Sequence, residues 1–213
     1  CHTGKKFANY WLHCNHMTSE GRKISKSLEN GFTLDDLTEK GFSPLDFKML
    51  VLQSQYQTSG DFTFENLQAA QNRLKNWRNI AALRHQISGQ KGEGIPSLAG
   101  KNAILEAINE NLDTPKALAQ TDEIFLEISK MPTEKLSKSN LVELLEFLDE
   151  LLGLNLLTST PDISELSKQK ILQRRIAREQ KDWATSDQIR DELLAEGIVL
   201  RDTPSKTIWE FEK

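Results

Sequence analysis

Six leucines, Leu141, Leu144, Leu145, Leu148, Leu151 and Leu152, recur at the three- and four-residue spacing of one helix face. A helix so apolar along one stripe must be covered by other helices, and the chain supplies them. Thr63 is placed to cap a long helix running to about Ile87, with Leu67, Leu74 and Trp77 among its buried candidates. Helices are expected at roughly 97–111, 114–130 and 139–152. Asp113-Thr114-Pro115 is a capping carboxylate followed by a proline, and Gly153 is a stop. Together these make an antiparallel bundle.

The flanks read differently. Residues 7–17 (Phe-Ala-Asn-Tyr-Trp-Leu-His-Cys-Asn-His-Met) are apolar enough for a buried strand or a short helix plus strand, and periodicity does not choose between them. Residues 18–32 form a Gly- and Ser-containing loop. Thr33 suits an N-cap, with Asp35 and Asp36 in the first turn where the helix dipole favours anions. Ser43-Pro44 is a second start, and its helix carries Leu45, Met49 and Leu52 on one face. Residues 88–96 are the clearest loop and 157–162 a linker. Helices follow at about 163–180 and 183–196, with Gly197 as a stop. Ile198-Val199-Leu200 and Thr207-Ile208-Trp209-Glu210-Phe211 surround a turn-rich stretch, predicting a terminal β-hairpin packed on two helices.

Composition narrows the function classes. The chain has 213 residues, 38% of them hydrophobic and 27% charged. No run approaches the ~20 apolar residues of a membrane span, so a soluble, cytoplasmic protein with no membrane partner is expected. The two cysteines, Cys1 and Cys14, do not make a disulfide scaffold. A net charge of -4 excludes indiscriminate nucleic-acid binding and leaves room for a local basic patch. The first residue is Cys1, inside what reads as running sequence, so the chain is expected to be a piece of a longer protein.

Three clusters carry chemistry. In Gly21-Arg22-Lys23-Ile24-Ser25-Lys26-Ser27-Leu28-Glu29-Asn30, two lysines alternate with two hydroxyls. Lysine is a compact point charge on a flexible stem, and a short loop bearing two of them can follow phosphate oxygens as charge develops on a leaving group. Near it lie His2, His13 and His16 with both cysteines. Zinc favours such ligands, but Cys1-His2 and His13-Cys14 are adjacent pairs whose side chains diverge on a strand, so no metal site is expected within this chain. His13 and His16 fit a ligand-facing role instead. In the C-terminal third, Lys170, Arg174, Arg178 and Lys181 span an arc of roughly 80° on one helix. The stripe ends at Trp183. Cations for phosphates and a ring for a stacked base suit single-stranded RNA. Trp183 equally suits a core position between two helices.

These segments resemble the cysteinyl-tRNA synthetase family along nearly the whole chain. Lys23-Ile24-Ser25-Lys26-Ser27 is similar to the Lys-Met-Ser-Lys-Ser signature of class I aminoacyl-tRNA synthetases. Asn9-Tyr10-Trp11-Leu12-His13 precedes it, and Phe32-Thr33 follows. Asn111-Leu112-Asp113-Thr114-Pro115-Lys116-Ala117-Leu118 resembles the family's Asp-Phe-Asn-Thr-Pro-Glu-Ala. Ala177-Arg178, Lys181-Asp182-Trp183-Ala184, Asp187 to Leu193, Gly197 to Leu200, Asp202-Thr203-Pro204 and Trp209 match its end. The sequence departs at Ile24, where the family has Met, and at Glu29, where it has Gly.

The resemblance implies a mainly α fold: residues 1–32 the end of a class I catalytic α/β domain, 33–60 stem-contact helices, 61–156 a tRNA-binding helical bundle, and 163–213 a small α+β anticodon-binding domain. It implies ATP-dependent activation of L-cysteine and its transfer to tRNA(Cys), with ATP used together with Mg2+. Lys23 and Lys26 would be catalytic, and Lys23, Ser25, Lys26, Ser27 and His13 would bind ATP. Arg174, Arg178, Trp183, Asp187, Arg190 and Asp202 would face the anticodon, the aspartates accepting from base amines. The family's Zn2+ would be held by ligands outside this chain, which alone is expected to be inactive and monomeric. Two alternatives are a cysteine ligase of the mycothiol pathway and a non-catalytic tRNA-binding module.

Overall fold

Short polar side chains start the helices. A computed structural model describes residues 4–25, 30–87, 98–202 and 207–212. Its helices are α1 (Leu34–Glu39), α2 (Pro44–Leu52), α3 (Phe64–Ala82), α4 (Leu98–Asn109), α5 (Thr114–Lys130), α6 (Lys138–Leu152), α7 (Glu165–Glu179) and α8 (Trp183–Ala195). Except at α4, the residue before each helix is Thr33, Ser43, Thr63, Asp113, Ser137, Ser164 or Asp182, and its side chain accepts from a first-turn amide. Each such cap is worth about 1 kcal/mol. At Thr33 and Ser43 the box is closed by aspartates, Asp36 and Asp46, which accept from the cap amide in return. Gly153 ends α6 in the left-handed conformation with φ 61°.

Among the described residues two small sheets complete a mainly α architecture. Strands β1 (Thr18–Ser19), β2 (Arg22–Lys23) and β3 (Asp61–Phe62) form a sheet of order β2-β1-β3. β1 pairs antiparallel with β2 through a two-residue turn, Glu20-Gly21, whose φ values of 52° and 71° are those a tight hairpin needs. β1 runs parallel to β3, Thr18 opposite Asp61. At the other end β4 (Ile198–Asp202) and β5 (Thr207–Phe211) form the expected hairpin, in register from Ile198–Phe211 to Asp202–Thr207.

The main core joins α2, α3, α4, α5 and α6. Met49, Leu67, Leu74, Trp77, Ile104, Leu118 and Leu141, Leu144, Leu145 and Leu148 are fully buried there. A smaller core gathers Ala82 with Ile163, Ile189, Leu193, Ile198 and Trp209. The two meet at the end of α3. Ile208 enters the main core, while its neighbour Trp209 enters the smaller one. The Gln86 carboxamide pairs with the Trp209 backbone in both directions, donating to its carbonyl and accepting from its amide at 2.9 Å each. His85 stacks on the Trp209 ring. Among the described residues no helix is long and apolar enough to cross a membrane.

Two expectations need correction. The loop expected at 18–32 opens with the β1–β2 hairpin, because Asp61 and the Glu20-Gly21 turn hold the two short strands together. Residues 7–17 are neither strand nor helix; Phe7 and Tyr10 are 90% and 93% exposed. A lone extended stretch cannot bury its apolar face or pair its backbone without a neighbour. Phe7 and Trp11 stack on each other, and Asn15 N–H ties the segment's end to Tyr56 C=O. The segment at 157–162 is tied to the bundle by hydrogen bonds. The Arg84 guanidinium, itself buried, donates to the carbonyls of Leu157 and Thr160 and to the Thr160 hydroxyl. Asp149 accepts from the amides of Leu156 and Leu157. Turn-forming residues are polar locally, but here their polar groups are satisfied from the bundle. Loop 88–96 lies outside the described residues.

Candidate functional site

The lysine-rich loop leaves from β2. Lys23 is the last residue of that strand and is exposed; Ser25 is half-buried. Lys26 and Ser27 lie outside the described residues, as does Glu29. Asn30 spans the loop's base. Its side-chain carbonyl accepts from Ser25 N–H at 3.0 Å and its amide donates to Lys23 C=O at 3.1 Å. Ile24 lines a cleft of about 170 Å³ with Met17, Phe32, Leu37, Phe47 and Phe62. The preceding hairpin is held by Asp61, whose Oδ1 accepts from the Thr18 hydroxyl at 2.7 Å and from Gly21 N–H at 2.8 Å. The hydrogen bond from Gly21, then that from Thr18, keeps this carboxyl below the usual carboxylate range.

His13 and His16 are on the segment without secondary structure; His13 is exposed. The exposed thiol of Cys14 is free. Among the described residues no three histidine, cysteine or acidic side chains converge as a metal site would require. Cys1 and His2 lie outside the described residues.

At the other end the cationic stripe divides. Arg174 is withdrawn from the surface: its side chain is 6% exposed, and its two Nη groups reach the two oxygens of Asp202 at 3.1 Å each. Arg178 binds the same carboxylate from outside, and the Thr207 hydroxyl donates to it at 2.6 Å. The bond from Arg174 is the strongest cause holding Asp202 far below the usual carboxylate range; Thr207 and Arg178 add to it. Lys170 bridges Glu192 at 3.0 Å and Glu196 at 2.8 Å, hydrogen bonds that raise its pKa. The expectation of a continuous free ridge is therefore corrected. Arg174 and Asp202 join α7 to the hairpin, and Lys170 joins α7 to α8. A stripe on one helix is visible in sequence, whereas the acids that neutralise it lie 22 or more residues away.

What stays on the surface is compact. Lys181 is exposed in the turn between α7 and α8, at φ 61°. Trp183 opens α8 and is 58% exposed, which answers the open question of its position: it is not a core tryptophan. Arg178 is half-exposed beside them. Asp187 and Arg190 are exposed one turn along α8 and pair at 3.3 Å. Asp61, Asn30's bridging geometry and the Gln86 clasp on Trp209 were not foreseen, since a lone Asp, Asn or Gln gives no periodic signal.

Comparison with known proteins accounts for both ends. Residues 1–72 match the model described as tRNA synthetases class I (C) catalytic domain. Residues 160–209 match the cysteinyl-tRNA ligase anticodon binding domain. The chain is 34% identical over 220 residues to a cysteine–tRNA ligase of Solibacter usitatus, covering 98% of this chain and 47% of the relative. It is 34% identical over 218 residues to that of a Marinomonas species, covering 97% and 46%. With the Haemophilus influenzae enzyme it shares 34% over 221 residues, covering 98% and 46%. The chain spans about half the length of the curated relatives it matches. With catalytic and anticodon-domain models matched in order and the stretch between them also aligned, the chain belongs to the cysteinyl-tRNA synthetase family.

Proposed function

We propose that this chain works as part of a cysteine–tRNA ligase, in which the L-cysteine carboxylate attacks the α-phosphate of ATP, forming cysteinyl-adenylate and releasing pyrophosphate, and the cysteinyl group then passes to tRNA(Cys) with release of AMP. One observation carries the reading: the likeness to cysteine–tRNA ligases runs through 98% of the chain. Lys23 and Lys26, with Ser25 and Ser27, serve the triphosphate. Ammonium groups beside the phosphates offset negative charge as pyrophosphate leaves, and Mg2+ bound with ATP shares that task. His13 lies toward the same nucleotide.

Residues 1–32 close the catalytic domain, 33–60 lie under the acceptor arm, 61–156 form the bundle, and 163–213 read the anticodon. In that last unit Lys181 and Arg178 meet phosphates and Trp183 offers its face to a base. Asp187 and Arg190 present hydrogen-bonding groups beside it. Arg174 and Asp202 hold the hairpin against α7, so their part in recognition is to position that surface. The described residues offer no ligand set for the family's Zn2+, and no step is assigned to it. We place the protein in the cytoplasm as a monomer. A mycothiol-type ligase is disfavoured, because a small-molecule reaction has no use for an anticodon-type unit.

The test is Lys26→Ala in the full-length protein. ATP–pyrophosphate exchange dependent on cysteine should fall by about a hundredfold or more; exchange within threefold of wild type would overturn the reading.

A further inference from the structure

Ile24 stands between two backbone groups that one side chain ties together. Lys23 C=O accepts from the Asn30 carboxamide and Ser25 N–H donates to it. A parallel strand neighbour makes the same pattern, flanking one residue by bonding to the carbonyl before it and the amide after it. Asn30 thus supplies by side chain the bridge that, among the described residues, no strand supplies at this point. Such a bridge favours extended backbone just past β2, and along extended backbone successive side chains alternate in direction. Ile24, 42% exposed, turns one face to the apolar cleft and forms part of its wall with Phe32 and Phe62. Lys23 and Ser25 are then turned to the other side. Gly31 fits beneath: a Cβ there would lie 3.4 Å from Ile24 Cγ2.

We infer that Asn30 is a positioning residue for the nucleotide loop, fixing the direction of Lys23 and Ser25 by clamping the backbone around an apolar peg, Ile24. This rests on the reading of the loop as the ATP-binding element. It also gives position 24 a physical requirement, an apolar side chain that forms one wall of the cleft, which isoleucine meets in place of the family's methionine.

Two measurements on Asn30→Ala test the inference. In the chain as it stands, the Ser25 amide should exchange with solvent about tenfold faster or more, with the thermal midpoint unmoved. In the full-length protein, cysteine-dependent ATP–pyrophosphate exchange, expressed per active site from the adenylate burst, should fall about tenfold or more. Asn30→Asp keeps the acceptor for Ser25 and loses the donor to Lys23. It should restore Ser25 protection and recover part of the rate, and it serves if the alanine variant does not fold. Unchanged Ser25 exchange, or a per-site rate within twofold of wild type, would overturn the inference. Lys26→Ala separates the cases: if it abolishes exchange while Asn30→Ala does not, the loop binds ATP and the clamp is irrelevant. If neither matters, the functional reading itself fails.

Discussion

Arg174 and Asp202, 28 residues apart in sequence, form a two-pronged ion pair in which each Nη faces its own carboxylate oxygen at 3.1 Å. The guanidinium is buried and its Nε is without a hydrogen bond. The pair therefore holds α7 to the end of β4 with an incompletely satisfied cation.

Removing the acid should leave that cation stranded. Asp202→Asn is expected to destabilise the terminal unit by about 2 kcal/mol, less than a fully enclosed pair because Asp202 keeps some contact with water. Urea unfolding followed by the fluorescence of the buried Trp209 reports it.

The same pair sets a pH dependence. Asp202 is more acidic folded than unfolded, so its contribution is complete above the unfolded carboxylate pKa of about 4 and is lost as pH falls through the lower folded value. Glu192 and Glu196, held below their usual range by Lys170, act in the same direction. The thermal midpoint should drop steadily below about pH 4, and Asp202→Asn should flatten that slope.

Lys170 and Lys181 separate charge that is engaged from charge that is offered. Lys170→Ala should lower stability with little change in the salt dependence of tRNA binding, since its ammonium sits between two carboxylates. Lys181→Ala should leave the unfolding free energy within about 0.5 kcal/mol of wild type. Its slope of log affinity against log salt should shrink by about one. Filter binding across a salt series distinguishes the two.

Trp183→Ala should weaken tRNA binding by about 1–3 kcal/mol through lost stacking. An exposed ring carries little folding energy, so the unfolding midpoint should hardly move. A large loss of stability with unchanged affinity would contradict this.

Gln86→Ala removes both bonds to the Trp209 backbone. It should cost about 1–2 kcal/mol and speed amide exchange in β5. Exchange confined to its normal rate there would show that the clasp contributes nothing.

Much of this fold is written in local chemistry. Thr33, Ser43, Thr63 and Asp113 announce their helices because a cap needs only residues three apart, and the α6 leucines announce their face because period alone fixes it. The hairpin at 198–211 was legible for the same reason. The fate of residues 7–17 was not, because an apolar run states a need for cover and says nothing about whether cover is present. Nor was the division of the cationic stripe: Arg174 looks like Arg178 until the hairpin covers the first and leaves the second half-exposed on the same carboxylate, Asp202. Trp183 could be told from a core tryptophan only by its position at the head of α8.

Ile208 and Trp209 are neighbours on β5, yet each is rooted in a different core. Peeling the hairpin away would open both interiors at once, so neither can melt first without uncovering the other. The bundle and the tail should lose their structure in one transition, with β5 as the shared seam that makes a two-body chain behave as one.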